Sequence, residues 1–157
     1  MIDAIFARTA IPEWELVIRL LAALLLGAII GWERESKNRP AGLRTHILVC
    51  LAAATFAIVA LELMNWAVRQ GAPADPIRAI EAVTAGVAFL AAGTIIQSRG
   101  QVSGLTTGAG LWLAGAIGVA CGTGLYSIAV LVAVMAFIVL AVLQRLADRI
   151  NPTKPNN

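Results

Sequence analysis

The densest run of chemically capable side chains is Glu33-Arg34-Glu35, followed shortly by Ala41-Gly42-Leu43-Arg44-Thr45-His46. Carboxylates, guanidinium groups and an imidazole set between two helix ends can hold an anion. Helices starting near Thr45 and near Thr106 would present free N–H groups and positive dipole ends to a negative group. Arg44 would add charge and His46 a proton-sensitive ring. Thr94 and Gln97 lie close in depth. The candidate binding residues are therefore Glu33, Arg44, Thr45, His46, Thr106 and Thr107. A plainer alternative stands beside this one: Thr45 and Thr106 are helix caps, and the basic residues are topology signals attracted to anionic lipid.

Other chemistries lack their residues. His46 is the single histidine, so it has no partner for a histidine-based metal site, and the residue types leave magnesium binding open. Cys50 and Cys121 belong to opposite ends of different apolar segments, too far apart in depth for a disulfide. No nucleophile–base pair, lysine-bearing phosphate loop or dinucleotide fingerprint is present. The glycine-rich stretch 104–110 lacks both a preceding strand and a lysine. No catalytic residue and no cofactor are expected.

A second set of charges lies within apolar surroundings: Arg19, Glu62 and Glu81, each about one turn from the same end of its segment. A charge at the bilayer centre costs about 2.5–3.5 kcal/mol on insertion scales. The shared depth predicts an intramembrane network in which Arg19 neutralises one or both carboxylates. The alternative is separate snorkelling to water, with Glu15 serving Arg19 at i,i+4.

These groups need elements to carry them, and composition says of what kind. The 157-residue chain is 59% hydrophobic and 13% charged, with a mean hydropathy of +0.83. Soluble domains run at roughly 45–50% and about 25%. Twelve basic and nine acidic side chains cannot cover the surface of a water-soluble fold this small. Disorder requires low hydrophobicity and is excluded. The net charge of +3 is not massed on one face or tail, so nucleic acid is not an expected partner.

Apolar segments at residues 16–32, 45–66, 77–96, 105–121 and 125–143 approach the length that crosses about 30 Å of hydrocarbon. Continuous runs such as Leu20-Leu21-Ala22-Ala23-Leu24 do not alternate as barrel strands do. The first segment runs straight into Glu33-Arg34-Glu35 without a cleavage site, which argues against a signal peptide. The expected fold is all-α, a polytopic membrane bundle of about five transmembrane helices. Residues 1–146 form the membrane domain and 147–157 a short polar cytoplasmic tail. With five spans, Arg34, Lys37, Arg39, Arg44, Arg99, Arg145, Arg149 and Lys154 share one side, against Arg8, Arg19, Arg69 and Arg78 on the other. The positive-inside bias puts the N-terminus outside and the C-terminus in the cytoplasm.

Asp75-Pro76 reads as a helix start, Pro40 and Gly42 as a break, and Gly122-Thr123-Gly124 as a tight turn. In lipid, helices associate through close backbone approach. Ala23, Gly27 and Gly31 recur every four residues; Gly108, Gly115 and Gly122 recur every seven, with Gly118 and Gly122 a second small pair. Gly27, Gly31, Gly108, Gly115 and Gly122 are expected to form packing seams within the bundle or between protomers.

Together these motifs resemble the MgtC/SapB family of bacterial membrane proteins. The resemblance is carried by Arg19-Leu20, Gly27-Ala-Ile-Ile-Gly31-Trp32-Glu33-Arg34-Glu35 and Pro40-Ala41-Gly42-Leu43-Arg44-Thr45-His46. It continues through Asp75-Pro76-Ile77-Arg78, Phe89-Leu90-Ala91-Ala92-Gly93-Thr94-Ile95, Val102-Ser103-Gly104-Leu105-Thr106-Thr107 and Trp112. Two positions depart from the pattern: Ala91 where glycine is usual, and Gly108 where alanine is usual. MgtC-type members carry an added cytoplasmic domain, and this chain resembles the short, membrane-only kind. The resemblance implies an inner-membrane protein linked to growth in low magnesium and, in pathogens, to survival inside host cells. It also implies action as a modulator of other membrane machines, the proton-translocating ATP synthase among them.

Two functions are expected to compete. One is a non-enzymatic regulatory or stress-adaptation protein of the inner membrane, self-associating or contacting another inner-membrane complex. The other is a small magnesium or proton transporter or channel formed by a homo-oligomer, with Thr55, Thr84 and Thr94 as candidate lining. Charges at the two interfaces, and none in the last two apolar segments, favour the first.

Overall fold

The computed structural model describes residues 9–98 and 101–143. The polar tail 147–157 and the basic residues Arg8, Arg99, Arg145, Arg149 and Lys154 used in the charge count lie outside the described residues. Five α-helices follow one another: α1 (Glu13–Ser36), α2 (Leu43–Arg69), α3 (Ile77–Ala92), α4 (Leu105–Gly122) and α5 (Tyr126–Ile138). A π-helical turn, Val139–Leu143, continues α5. The all-α expectation holds. Among the described residues, α1, α2 and α4 are long and apolar enough to cross a membrane. At 16 residues, α3 is about 24 Å long, shorter than the hydrocarbon core.

The third apolar segment ends earlier than its hydropathy suggests. Helix α3 stops at Ala92, and the chain then forms a small antiparallel hairpin, β1 (Ile96–Ser98) with β2 (Gln101–Ser103), registered Ile96↔Ser103, Gln97↔Val102 and Ser98↔Gln101. The apolar run carries on through Ile95-Ile96, past the end of the helix, so hydropathy cannot mark where the helix stops; Gly93 at the C-cap and the turn after it do. Gly104 closes the hairpin at φ +83, where any Cβ would run into the Thr94 carbonyl.

Helix α4 is the centre of the bundle. Of its residues 61% are buried, against 28% and 33% for the most apolar windows of α1 and α2. A helix apolar all round and rich in small residues can be enclosed on every side. Its glycines serve two neighbours. Cβ atoms at Gly118 and Gly122 would collide with the α2 carbonyls of Cys50 and Ala54, whereas at Gly115 the obstacle is Val87 of α3, 2.9 Å away. On α1, a Cβ at Gly27 would lie 3.0 Å from the His46 carbonyl, and one at Gly31 would lie 2.7 Å from Leu43 Cα. Gly122 thus pairs with Gly118 against α2, not with Gly108 and Gly115, which face α3.

The turns behave as their residues dictate. Asp75 Oδ1 accepts a hydrogen bond from Ile77 N (3.0 Å) at the start of α3. Gly124, at φ +78, ends α4 while Leu125 N donates to the Ala120 carbonyl (2.8 Å). Cys50 and Cys121 are both free and buried, and the Cys50 thiol donates to the Ala114 carbonyl (3.0 Å).

Candidate functional site

The α1–α2 junction holds a buried ionic cluster. Arg34 is 1% exposed, Glu33 5% and His46 0%. Arg34 is buried because it continues the α1 seam: Ala23, Gly27, Ile30, Gly31 and Arg34 share the face turned inward. Arg34 Nη1 lies 3.5 Å from Glu33 Oε2, and Lys37 Nζ lies 2.6 Å from Glu33 Oε1. Lys37 Nζ also donates to the Leu140 carbonyl (3.3 Å), in the π-helical turn. One carboxylate is thus shared by two cations, a geometry that offsets part of the cost of burying them.

His46 stands one turn into α2. Its Nδ1 donates to the Gly42 carbonyl (2.9 Å), which leaves Nε2 as an acceptor. Nε2 is buried without a partner in the protein and points toward Gly110 of α4, where a Cβ would sit 3.4 Å from it. Arg34 Nε and Nη1 and Arg39 Nε are buried donors that likewise lack hydrogen-bond acceptors in the protein. Beside the cluster opens a polar cavity of about 490 Å³ lined by Glu35, Asn38, Arg39, Pro40, Gly42, Arg44 and Thr45. Glu35 Oε2 accepts from Leu43 N (2.9 Å), so this carboxylate satisfies one free N–H of α2.

The six residues singled out from sequence fall into three groups. Glu33 and His46 are buried in the cluster; Arg44 and Thr45 line the cavity. Thr107 is buried on α4 one turn before Gly110, and Thr106 is exposed. The candidate binding residues left out Arg34, which the sequence placed in the cluster, and Lys37 and Arg39, which it read only as topology signals. Arg34 carried a readable signal, three residues beyond Gly31 and seven beyond Gly27 on one helical face.

The charges at the opposite end do not form the expected network. Arg19 Nη2 bonds Glu15 Oε1 (2.5 Å), and Nη1 donates to the Gly122 carbonyl (2.6 Å). Glu62 accepts from Ala10 N (2.7 Å) and Ile11 N (2.9 Å), while Glu81 is exposed on α3. Arg19 and Glu62 find local partners instead: an i,i+4 carboxylate and an orphan helix carbonyl take up the Arg19 Nη atoms before either distant carboxylate can, although Arg19 Nε stays buried without an acceptor. Among the described residues, no group of three or more His, Cys, Asp or Glu side chains is placed to hold a metal ion.

The model of the MgtC family matches residues 20–149. The chain belongs to the MgtC family. A Synechocystis sp. relative named only as uncharacterized is 40% identical over 140 residues, covering 88% of this chain and 57% of its own length. Protein MgtC of Salmonella typhimurium is 38% identical over 135 residues, 86% of this chain and 55% of that one. Escherichia coli K12 contributes YhiD, named "Putative magnesium transporter", 36% identical over 137 residues, 87% of this chain and 64% of that one. The chain therefore spans between about half and two thirds of these relatives. No solved structure matches. With this membership and its long apolar helices, the chain is a membrane protein. The two departures from the MgtC pattern meet across α3 and α4: a Cβ at Gly108 would lie 3.0 Å from the Ala91 carbonyl.

Proposed function

We propose that this MgtC-family protein is a non-enzymatic, multi-pass inner-membrane protein that supports adaptation to low magnesium or membrane stress. Its N-terminus is outside and its α1–α2 junction cytoplasmic. It acts through contacts in the membrane, with itself or with another inner-membrane complex, and its cytoplasmic ionic cluster is the binding site.

The observation that carries this reading is the distribution of buried polarity. Among the described residues, the buried polar and charged side chains are Arg19, Glu33, Arg34, His46 and Thr107. Arg19 is at one end of the bundle and the others are toward the opposite end. The stretch between is closed by Ala, Ile, Leu and Cys side chains packed on glycine. An ion crossing such a core would shed its hydration without replacement ligands. The magnesium connection is inferred from the printed name of one relative, the putative magnesium transporter YhiD.

Liposomes containing only the purified chain test the choice against a transporter. The expected result is magnesium and proton flux no faster than in empty liposomes, while a strain lacking the gene grows poorly in low magnesium and recovers with the wild-type gene. Robust flux that disappears in Glu81→Ala or Glu62→Ala would establish the transporter instead.

A further inference from the structure

We propose that an anionic phospholipid binds along α2, its phosphate in the polar cavity at the α1–α2 junction and one acyl chain in an apolar groove between α2 and α3. The groove encloses about 530 Å³, and its lining is apolar throughout, including Val49, Phe56 and Leu63 of α2 and Val83, Gly86 and Leu90 of α3. Its floor is open at Gly86, where a Cβ would meet nothing within 4 Å. The polar cavity and the groove share one strip of α2. Thr45 lines the cavity while Val49 begins the groove one turn further on. At 3.6 residues per turn, Thr45, Ala52, Phe56 and Leu63 stand on one face. From Val49 to Leu63 the groove runs roughly 21 Å at the helical rise, enough for a chain that reaches the bilayer midplane at about 15 Å.

Charge selects the headgroup. Arg39 and Arg44 line the cavity, and the Glu35 carboxylate there is engaged by Leu43 N. Arg39 Nε is a buried donor without an acceptor in the protein. Phosphate oxygens are acceptors suited to arginine, and a burial cost already present makes such a bond favourable. An inorganic phosphate would use the cavity and leave the groove idle; a helix from a second copy would use the groove and leave the arginines unanswered. A lipid satisfies both. The proposal uses the membrane-spanning reading and no part of the magnesium reading, so lipid binding and growth in low magnesium fail independently.

Native mass spectrometry of the purified full chain, titrated with phosphatidylglycerol, phosphatidylcholine of matched chains, or inorganic phosphate, tests this directly. Phosphatidylglycerol is expected to bind about tenfold tighter than phosphatidylcholine, the size of one charge-assisted hydrogen bond, with the preference lost in Arg39→Gln/Arg44→Gln. Gly86→Leu, which fills the groove floor, is expected to weaken phosphatidylglycerol about fivefold. Ala52→Leu fills the opposite wall and replaces Gly86→Leu if that variant's thermal melt differs from wild type. Equal binding of the two lipids overturns the proposal. So does displacement by equimolar inorganic phosphate, or full phosphatidylglycerol affinity in both groove-filling variants.

Discussion

Glu33 carries more of the junction than its single negative charge suggests. It is the carboxylate nearest both Arg34 and Lys37, and removing one member of a buried ion pair strands the others. Glu33→Gln is therefore expected to destabilise the protein by about 3 kcal/mol, read from thermal or denaturant unfolding in detergent. Arg44→Gln, exposed at the cavity rim, is expected to stay within about 0.5 kcal/mol. At the other end, Arg19→Ala leaves the Gly122 carbonyl without its donor and is expected to cost about 2 kcal/mol. Glu81→Gln, on the exposed face of α3, is expected to be nearly silent in the same assay. Equal losses for Arg19→Ala and Glu81→Gln would restore the shared network in place of the separate contacts of Arg19 and Glu62.

At the scale of elements, glycine has two distinct meanings in this bundle. Gly118 lies against the Cys50 carbonyl and the Ala53 side chain, the latter 2.8 Å from where its Cβ would be. Gly118→Ala must push α4 off α2, at about 1–3 kcal/mol. Gly86 faces open space, so Gly86→Ala removes only the helical penalty of glycine and is expected to stabilise by up to about 1 kcal/mol. Both changes are read from the same unfolding curves. The seams were legible as i,i+4 and i,i+7 spacings of small residues. Which neighbour each glycine meets was not, because α4 offers small residues all round and periodicity alone cannot choose among its contacts. The hairpin at 96–103 was invisible for a related reason: hydropathy reports transfer to lipid, not backbone dihedrals.

For the whole molecule, the solvent is the deciding condition. Trp32, Leu48, Phe56, Trp66 and Phe89 are between 62% and 85% exposed, a surface that water would not tolerate and lipid does. The proposed orientation makes a concrete prediction. Asn38→Cys, in the α1–α2 loop, is expected to resist a membrane-impermeant maleimide in intact spheroplasts and to react after lysis. Ala72→Cys, in the α2–α3 loop, is expected to react before lysis. The native thiols are both buried and give a low background. The reverse pattern would invert the topology.

Composition alone settled that the chain belongs in a bilayer, since too few charged side chains exist to cover so much apolar surface; unbroken apolar runs then made the spans helices. Residue order marked the approximate helix spans, though not the end of α3, and the family, through motifs that run along most of the chain. Tertiary structure decided where the charges go. Arg34, one charge among several in the 33–35 run, became a deeply buried cation because the seam of α1 turns it inward. Arg19 and Glu62, expected at one depth with Glu81, were drawn to separate partners, and Glu81 stayed on the exposed face of α3. Depth follows from sequence position along a helix, but pairing depends on azimuth and on which backbone groups a neighbour leaves unsatisfied, and those exist only once the helices have packed.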